Sequence, residues 1–423
     1  MNRYRNIVER INHGLFLAVI ALLPYPQVLL RYACAAWLIS WLLKCRWLSR
    51  PKPFSGNRMV VPFLLFGLWY GWKAVSGLWA ADSAAWAWQM ERYMLFVLMV
   101  PLALWGVNKH YDWRQAGRIW AISSLVAVPV YVLVMAVFYH FPALSDSLFE
   151  QGVLNSQGRD WWTFFSEDIS HIKHRLFLSG IMTMGGVLAI QVWHDRRWVP
   201  AVMIPLMLAF IAMTGSRQAL LTGILVITVA VVFSLPQRLR KRYGLALTAA
   251  GVLVGGLLLM FHPRMQDIDW RALKEMREVS YYHDVRFNIW GCALQRPQEY
   301  AAYGLGAGQS TEYLAERYAE AGLTYYAQDR LHCHNQYLEE LMETGVGGLL
   351  FFVLIWFAIP LCARGEGRQT AVAFTLLYLL NMFTDCMFGL FDGLVLWAVG
   401  LLLVFLQSDP QREEKSARDT ETH

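Results

Sequence analysis

The sequence predicts an all-α, polytopic membrane protein of about twelve transmembrane helices, with one large outer loop late in the chain. Of its 423 residues, 57% are hydrophobic and only 16% are charged. The apolar residues come in blocks of about 20, which is the length of helix that crosses a bilayer. The 19 tryptophans fit helix ends at the two membrane interfaces, where amphipathic rings settle. A net charge of +6 would suggest nucleic acid only until the basic residues are assigned to loops.

The apolar blocks predict the following order of helices. They span roughly 12–24, 28–44, 59–76, 93–107, 119–139, 176–193, 199–214, 218–235, 244–262, 342–362, 370–386 and 390–407. The first two are short and meet at Pro24 to Pro26, so whether they span the bilayer fully stays open. Arginines precede the first block as in a signal sequence, but no small-residue cleavage site follows, so we expect a retained anchor. The predicted segments are 1–262 (helices), 263–341 (outer loop), 342–407 (helices) and 408–423 (disordered tail).

The basic loops fix the predicted orientation. Short loops rich in Lys and Arg stay in the cytoplasm. With the N-terminus inside, five such loops fall on that side: 44–52, 108–114, 194–197, 238–242 and 364–368. Both termini are then predicted to be cytoplasmic.

Three segments remain on the outer face in this topology. They are the loop 140–175, the short turn that contains Arg217, and the loop 263–341. The last is too long for a connector and carries helical patterns at 286–295 and 311–322. A long ordered loop in a compact protein is usually functional, so we expect the chemistry on the outer face.

Arg217 is the only charged residue between Val199 and Pro236. It could extend towards lipid headgroups, as arginines near helix ends do. It could also bind a phosphate, since an anion about 4 Å away contributes about 4 kcal/mol at an effective dielectric near 20. A planar guanidinium suits bidentate phosphate recognition, which favours the second interpretation.

Arg286 heads a second motif, YYHDVRFNIWGCAL, on a predicted amphipathic helix. Trp290 and Leu294 are spaced by one helical turn, which predicts that they share a stripe. The spacing alone equally allows Arg286 to be a solvated surface residue.

The stretch LHCHNQYLEELMETGVGG, residues 331–348, admits three interpretations. Zinc would need two donors besides His332 and His334, and the cysteine between them follows no established pattern. A polar helix cap is the second. The third is a general base at the membrane boundary, since neutral imidazole can accept a proton near pH 7. We expect His334 and Leu338 to share a helical face.

Other polar groups carry weaker signals. His171, Lys173, His174 and Arg175 form a basic cluster on the outer side, which favours an anionic headgroup or substrate. Asp267-Ile-Asp269 matches the DxD of nucleotide-sugar enzymes only formally. The chain has no CxxC pair. Cys292 and Cys333 share the outer loop, where disulfides persist, and we hypothesise a bridge between them.

The segments TGSRQALL, VRFNIW and HCHNQYLEELMETGVGG resemble the O-antigen ligase and O-antigen polymerase superfamily. The resemblance covers roughly residues 170–400, and the His-x-His-Asn…Glu-x-Gly pattern is its specific part. It implies a metal-independent, lipid-linked (GT-C-like) glycosyltransferase fold. Arg217, Arg286 and His334 occupy the positions of the family's functional arginines and histidine. Gln218 departs from the pattern, where a small residue is usual.

The resemblance implies transfer of a glycan from undecaprenyl-diphosphate to a hydroxyl of lipid A–core, with inversion, at the periplasmic face of the bacterial inner membrane. Arg217 and Arg286 would hold the diphosphate, and His334 would deprotonate the acceptor. His332, Asn335, Tyr337, His174 and Arg175 would bind substrate, without metal, cofactor or nucleic acid. Three alternatives stay open: a polymerase of the same superfamily, a protein O-glycosylating relative, and a transporter of an anionic lipid or sugar.

Overall fold

The computed structural model describes residues 2–45, 57–105, 110–140, 172–260 and 285–409. Within these ranges the chain is helical, with no β-strand among the described residues. The helices are α1 Asn2–Leu22, α2 Gln27–Cys45, α3 Val60–Val75, α4 Ser83–Trp105, α5 Trp113–His140, α6 Arg175–Val192, α7 Trp198–Met213, α8 Arg217–Ser234, α9 Gln237–Met260, α10 Val285–Ala293, α11 Ser310–Glu320, α12 Thr324–Gln328, α13 Gln336–Cys362, α14 Gly367–Asn381 and α15 Phe391–Gln407.

Every predicted helical block overlaps one of these helices, but several helices begin earlier than predicted. The largest differences are at α1 and α4, which begin at Asn2 and Ser83, and smaller ones are at α9 and α13, which begin at Gln237 and Gln336. Their first turns are polar or charged, as in QRLRKR of α9. Hydropathy finds only the apolar part of a helix, whereas the backbone hydrogen bonds continue through the polar turns. The patterns near 286–295 and 311–322 correspond to α10 and α11.

Four of the described helices are long and apolar enough to cross a membrane: α5, α6, α8 and α13. Three further apolar helices, α2, α7 and α15, are shorter. These helices fit a multi-pass membrane protein, while the total of twelve spans and the glycosyltransferase fold type stay predictions. Residues 141–171 of the predicted loop 140–175, the Asp267-Ile-Asp269 motif and the tail from 410 lie outside the described residues.

The chain divides into two compact units. The first comprises the described residues of 2–45, 110–140 and 172–260, with α6 at its centre. Helix α6 packs against α5, α7 and α8 and is buried on nearly all faces. Two of its polar residues bond within the helix: Ser179 Oγ donates to Arg175 O at 2.7 Å, and Thr183 Oγ1 donates to Ser179 O at 2.8 Å.

The second unit comprises 57–105 and 285–409. Helix α13 packs against α3 and α14, and α15 packs against α14 and α4. A cluster of aromatic rings fills the space between these helices. Phe388, in the loop after α14, is fully buried in this cluster, 4.8 Å from the Phe96 ring and 6.1 Å from the Trp356 ring. Aromatic packing therefore anchors the loop 382–390 in the core of this unit.

Helix α13 is broken at Gly345, where φ is 69° and ψ is −176°. The amides of Leu305 and Gly306 donate to Met342 O at 2.8 Å and Glu343 O at 3.1 Å, which satisfies two carbonyls at the break. A Cβ on Gly345 would lie 2.7 Å from Ala302 O, so both the dihedral angles and the close backbone require glycine. The break separates a short polar segment of α13 from its apolar segment.

Candidate functional site

Asn335 is the N-cap of α13. Its Oδ1 accepts hydrogen bonds from the amides of Tyr337 and Leu338, both at 3.0 Å. His334, one residue earlier, has a φ of 46° in the left-handed region, which side chains other than glycine rarely adopt. The prediction that His334 shares a helical face with Leu338 is therefore wrong, because the helix begins only at Gln336.

His332, His334 and Asp385 lie together near the N-terminus of α13. The Nδ1 of His334 is 3.6 Å from Asp385 Oδ1, and the Nε2 of His332 is 4.0 Å from the same oxygen. The His334 amide donates to His332 Nδ1 at 3.2 Å, so neutral His332 carries its proton on Nε2, towards Asp385. The Nδ1 of His334 is buried and has no hydrogen-bond partner within the described part of the chain. A carboxylate and two imidazoles thus share one small region.

The loop that carries Asp385 is bound along its length by other elements. Arg286 Nε, from α10, donates to Thr384 O at 3.0 Å. Asn335 Nδ2 donates to Phe383 O at 3.2 Å, and the Gln336 amide donates to Met382 O at 2.9 Å. Two separate elements, α10 and the start of α13, therefore fix Asp385 beside His334, and one of the bonds comes from the predicted phosphate-binding arginine.

Gln336 connects the loop to the first turn of α13. Its Oε1 accepts the Phe388 amide at 3.0 Å, and its Nε2 donates to Glu339 Oε2 at 2.6 Å and to Glu340 Oε1 at 3.2 Å. Gln336 is fully buried. Since an unpaired amide would be costly at such depth, these bonds fix both the glutamine and the loop.

Helix α10 contacts the histidine segment through Trp290, whose Nε1 donates to Cys333 O at 3.0 Å. The buried face of α10 consists of Asn288, Ile289, Cys292 and Ala293. Leu294 is 52% exposed and follows the helix end. The Leu294 amide donates to Trp290 O at 3.0 Å, so Trp290 and Leu294 are one helical turn apart as predicted, while α10 buries the neighbouring face.

The hypothesised Cys292–Cys333 bridge is not formed in this structure, in which both residues are free thiols. The Sγ of Cys333 lies 3.7 Å from that of Cys386 and donates to Asn335 O at 2.9 Å. Burial raises the pKa of the Cys333 thiol and raises that of Cys386 well above its usual range. Both thiols are therefore protonated at neutral pH.

A buried ionic network lies near the break in α13. Lys73 Nζ, from α3, is 3.0 Å from Glu340 Oε1 and 2.6 Å from Glu343 Oε2, and all three side chains are essentially inaccessible to solvent. Gln89 Nε2 donates to both Glu343 oxygens, at 3.1 and 2.9 Å. Ser310 Oγ donates to Glu343 Oε1 at 3.1 Å. The network joins α3, α4, α11 and α13, so it fixes the helical frame behind the histidines.

Arg92 approaches the far end of the same loop. Its Nη1 donates to Gly389 O at 2.5 Å, and its guanidinium stacks over the Trp88 ring at 4.1 Å. The Nε atom of Arg92 is buried and has no hydrogen-bond partner within the described ranges. Two guanidinium groups, those of Arg92 and Arg286, thus bind carbonyls of one loop.

Arg217 belongs to the other unit and is the first residue of α8. The turn before it is set by local geometry: α7 ends at Met213, and Gly215 adopts a φ of 68°. Ser216 is the N-cap, and its Oγ accepts the Ala219 amide at 3.4 Å. Gln218, the residue that departs from the family pattern, donates to Thr222 Oγ1 at 3.3 Å along the helix, and α7 still packs against α8.

His174 and Arg175 are likewise at a helix start, as the N-cap and first residue of α6. The His174 ring is 5.2 Å from the Phe177 ring. Lys173 is almost fully buried, and His171 lies outside the described residues. Asn335 and Tyr337 use their polar atoms within the protein, since Tyr337 Oη donates to Leu379 O at 2.7 Å. A direct contact of these residues with substrate stays a prediction.

The central part of the chain is similar to one family of known proteins. Residues 202–353 match the family model described as O-antigen ligase. The matched segment is a domain similar to O-antigen ligases, which supports a relation to that superfamily. This domain confirms the resemblance found in the motifs and includes Arg217, Arg286 and His334. A search of curated proteins found no match. The O-antigen ligase domain implies an enzyme that transfers a glycan, in the broad sense.

Asp385 and Arg92 lie outside the matched O-antigen ligase domain, and sequence reasoning missed both. Asp385 lies at the end of the apolar block predicted at 370–386. Arg92 lies one residue before the block predicted at 93–107, in the part of α4 that hydropathy did not find. Their only signal was a charge at the edge of an apolar run, which is weak evidence by itself.

His332, His334 and Asp385 could also hold a metal ion, since one donor atom from each lies within 4.8 Å of the others. Three nitrogen and oxygen donors resemble an open catalytic zinc site in number. That the reaction needs no metal therefore stays a prediction, which an assay with a chelator can test.

Proposed function

We propose that this protein transfers a glycan from undecaprenyl-diphosphate to a hydroxyl of lipid A–core at the periplasmic face of the inner membrane. The match of residues 202–353 to the O-antigen ligase family supports the reaction class. The observation that carries the proposal is the grouping of His334, Asp385 and Arg286 around one loop. Such a grouping supplies a base, a carboxylate that orients it, and a cation for the leaving group.

His334 is the general base in this proposal. Its Nδ1 lies 3.6 Å from Asp385 Oδ1, and a proton held on Nδ1 would leave the Nε2 lone pair for the acceptor hydroxyl. The 3.6 Å separation would shorten when substrate closes the site, as catalytic hydrogen bonds commonly do. The carboxylate then stabilises the imidazolium that forms. General base catalysis of this kind contributes about 10²–10⁴ in rate.

Arg286 and Arg217 bind the diphosphate of the donor. The acceptor oxygen attacks the anomeric carbon, the bond from that carbon to the diphosphate oxygen breaks, and negative charge collects on the leaving group. Guanidinium groups stabilise that charge more in the transition state than in the ground state. Direct displacement inverts the anomeric configuration. Cleavage of the bond between the sugar and the diphosphate supplies the free energy of the reaction, so no nucleotide is required.

The position of each arginine at a helix start supports an anionic ligand. Arg217 is the first residue of α8 and Arg286 the second residue of α10. A cation there opposes the helix macrodipole, which costs about 0.3–1 kcal/mol at a surface. An anion bound between the guanidinium and the free helix amides would reverse this cost. His174 and Arg175, at the start of α6, would bind a further anionic group of donor or acceptor, and His332 would contact the acceptor.

An in vitro assay tests the proposal. The purified protein receives labelled lipid-linked glycan with lipid A–core, with the donor alone, or with an acceptor peptide. We expect label on lipid A–core only, with the rate unchanged by EDTA. Longer glycan on the lipid carrier would instead identify a polymerase, and labelled peptide a protein glycosyltransferase. Protein-dependent movement of intact donor across vesicles, without transfer, would identify a transporter. Loss of activity in EDTA that zinc restores would contradict the metal-free reaction.

A further inference from the structure

The two thiols nearest the candidate base and its carboxylate face each other. Cys333 lies between His332 and His334, and Cys386 directly follows Asp385. Their Sγ atoms are 3.7 Å apart, and the residues are 2% and 3% exposed. Both belong to loops, not to helices. We propose that Cys333 and Cys386 form a disulfide that covalently joins the two loops of the active site.

The distance favours this pair. A disulfide requires an S–S distance of about 2.05 Å, so the sulfur atoms must approach by about 1.7 Å. Side-chain rotation and small loop adjustments can supply that movement, because neither cysteine is held in a helix. The bond would replace the contact between Cys333 Sγ and Asn335 O, which is 2.9 Å long. Cys292 shares the same buried cluster but contributes from helix α10.

The reaction is a two-electron oxidation by a disulfide oxidant, such as oxidised glutathione or a thiol oxidoreductase. One cysteine thiolate attacks the oxidant and releases one of its sulfurs as a thiol. The second thiolate then displaces the other sulfur, which leaves a Cys333–Cys386 disulfide and two reduced oxidant thiols. Two protons leave the protein and two electrons pass to the oxidant. Burial of both thiols makes this exchange slow in the closed loops and slows later reduction in the same way.

The compartment that would supply the oxidant depends on the proposed function, and this part of the inference rests on that function. If the active site faces the periplasm, both loops mature in a compartment where disulfides form and persist. The cross-link would close a segment whose ends are 53 residues apart. It would hold the His334 imidazole next to Asp385, which is the alignment that base catalysis requires.

The test is peptide mapping of the full-length protein under non-reducing conditions after trapping with N-ethylmaleimide. One sample is trapped as isolated, and a second after incubation with oxidised glutathione in detergent. We expect a Cys333–Cys386 peptide and two fewer maleimide adducts than in the reduced protein. Cys292→Ser should keep the cross-linked peptide, and Cys333→Ser should lose it. Reduction should lower the melting midpoint of the wild-type protein and of Cys292→Ser, but not that of Cys333→Ser.

Free Cys333 and Cys386 in the glutathione-treated sample, or either residue linked to Cys292, would overturn the cross-link. A pair that is reduced as isolated but oxidises in glutathione supports the cross-link and argues instead against the periplasmic location. The mapping does not depend on transfer activity. Failure of the cross-link is therefore distinguishable from failure of the proposed function.

Discussion

The two units each place an arginine at the start of a helix, but they support it differently. In the first unit the bonds that shape the Arg217 turn are local: the Gly215 amide donates to Ala212 O at 3.1 Å, and Ser216 caps α8. In the second unit Arg286 donates to Thr384, a residue 98 positions away. The backbone of the first arginine is set by its turn, whereas the side chain of the second belongs to a tertiary framework that also holds Asp385.

This difference distinguishes the structural needs of anion binding from those of general base catalysis. A turn can present a guanidinium to an anion, but a base needs a partner held at a defined distance. The partner of His334 is supplied by the loop 382–390, which is fixed by bonds from α10 and α13 and by the buried Phe388 ring. We therefore expect the largest catalytic loss in the second unit.

Replacement of the base should have the largest effect. His334→Ala removes the imidazole beside Asp385, so we expect kcat to fall about 10²–10⁴-fold. His194→Ala is the matched control, since His194 is a 61% exposed histidine in a basic loop of the first unit. The measurement is glycan transfer to lipid A–core by purified, folded protein. A near wild-type rate for His334→Ala would exclude it as the base and leave only the role of a strained turn residue.

Removal of the buried cation of Lys73 should cause the next largest effect, and we expect it mainly on stability. Lys73→Met leaves Glu340 and Glu343 buried without their partner, which costs about 3–5 kcal/mol for a buried pair. Lys241→Met, at an exposed position on α9, is the control. We expect a lower melting midpoint in detergent for Lys73→Met only. Equal midpoints for the two variants would mean that the network does not hold the second unit together.

Sequence reasoning reached the parts of the site that local rules determine. The turn before Arg217 follows from a left-handed glycine and a serine cap, and a polar cap was one of the interpretations considered at Asn335. Hydropathy located the helices because the apolar blocks match a bilayer. Asp385 could not be found this way, since its contact with His334 depends on how α13 and α14 pack. The left-handed backbone of His334 also has no sequence signal, because histidine seldom adopts it.

The smallest expected effect concerns the arginines and asks whether Arg217 and Arg286 bind the same ligand. Lysine keeps the charge of arginine but loses its planar fork, so Arg217→Lys and Arg286→Lys should each lower kcat/KM about tenfold. Arg286→Lys should also lower the melting midpoint, because the bond from Nε to Thr384 O is lost. Arg217→Lys keeps the backbone bonds of its turn, so it should lower the midpoint less than Arg286→Lys. If both guanidinium groups bind the same diphosphate, the double variant should lose less than the product of the single losses, with a coupling of about 0.5–3 kcal/mol. Strict additivity would mean that the arginines act on separate groups, and a common diphosphate site would have to be abandoned.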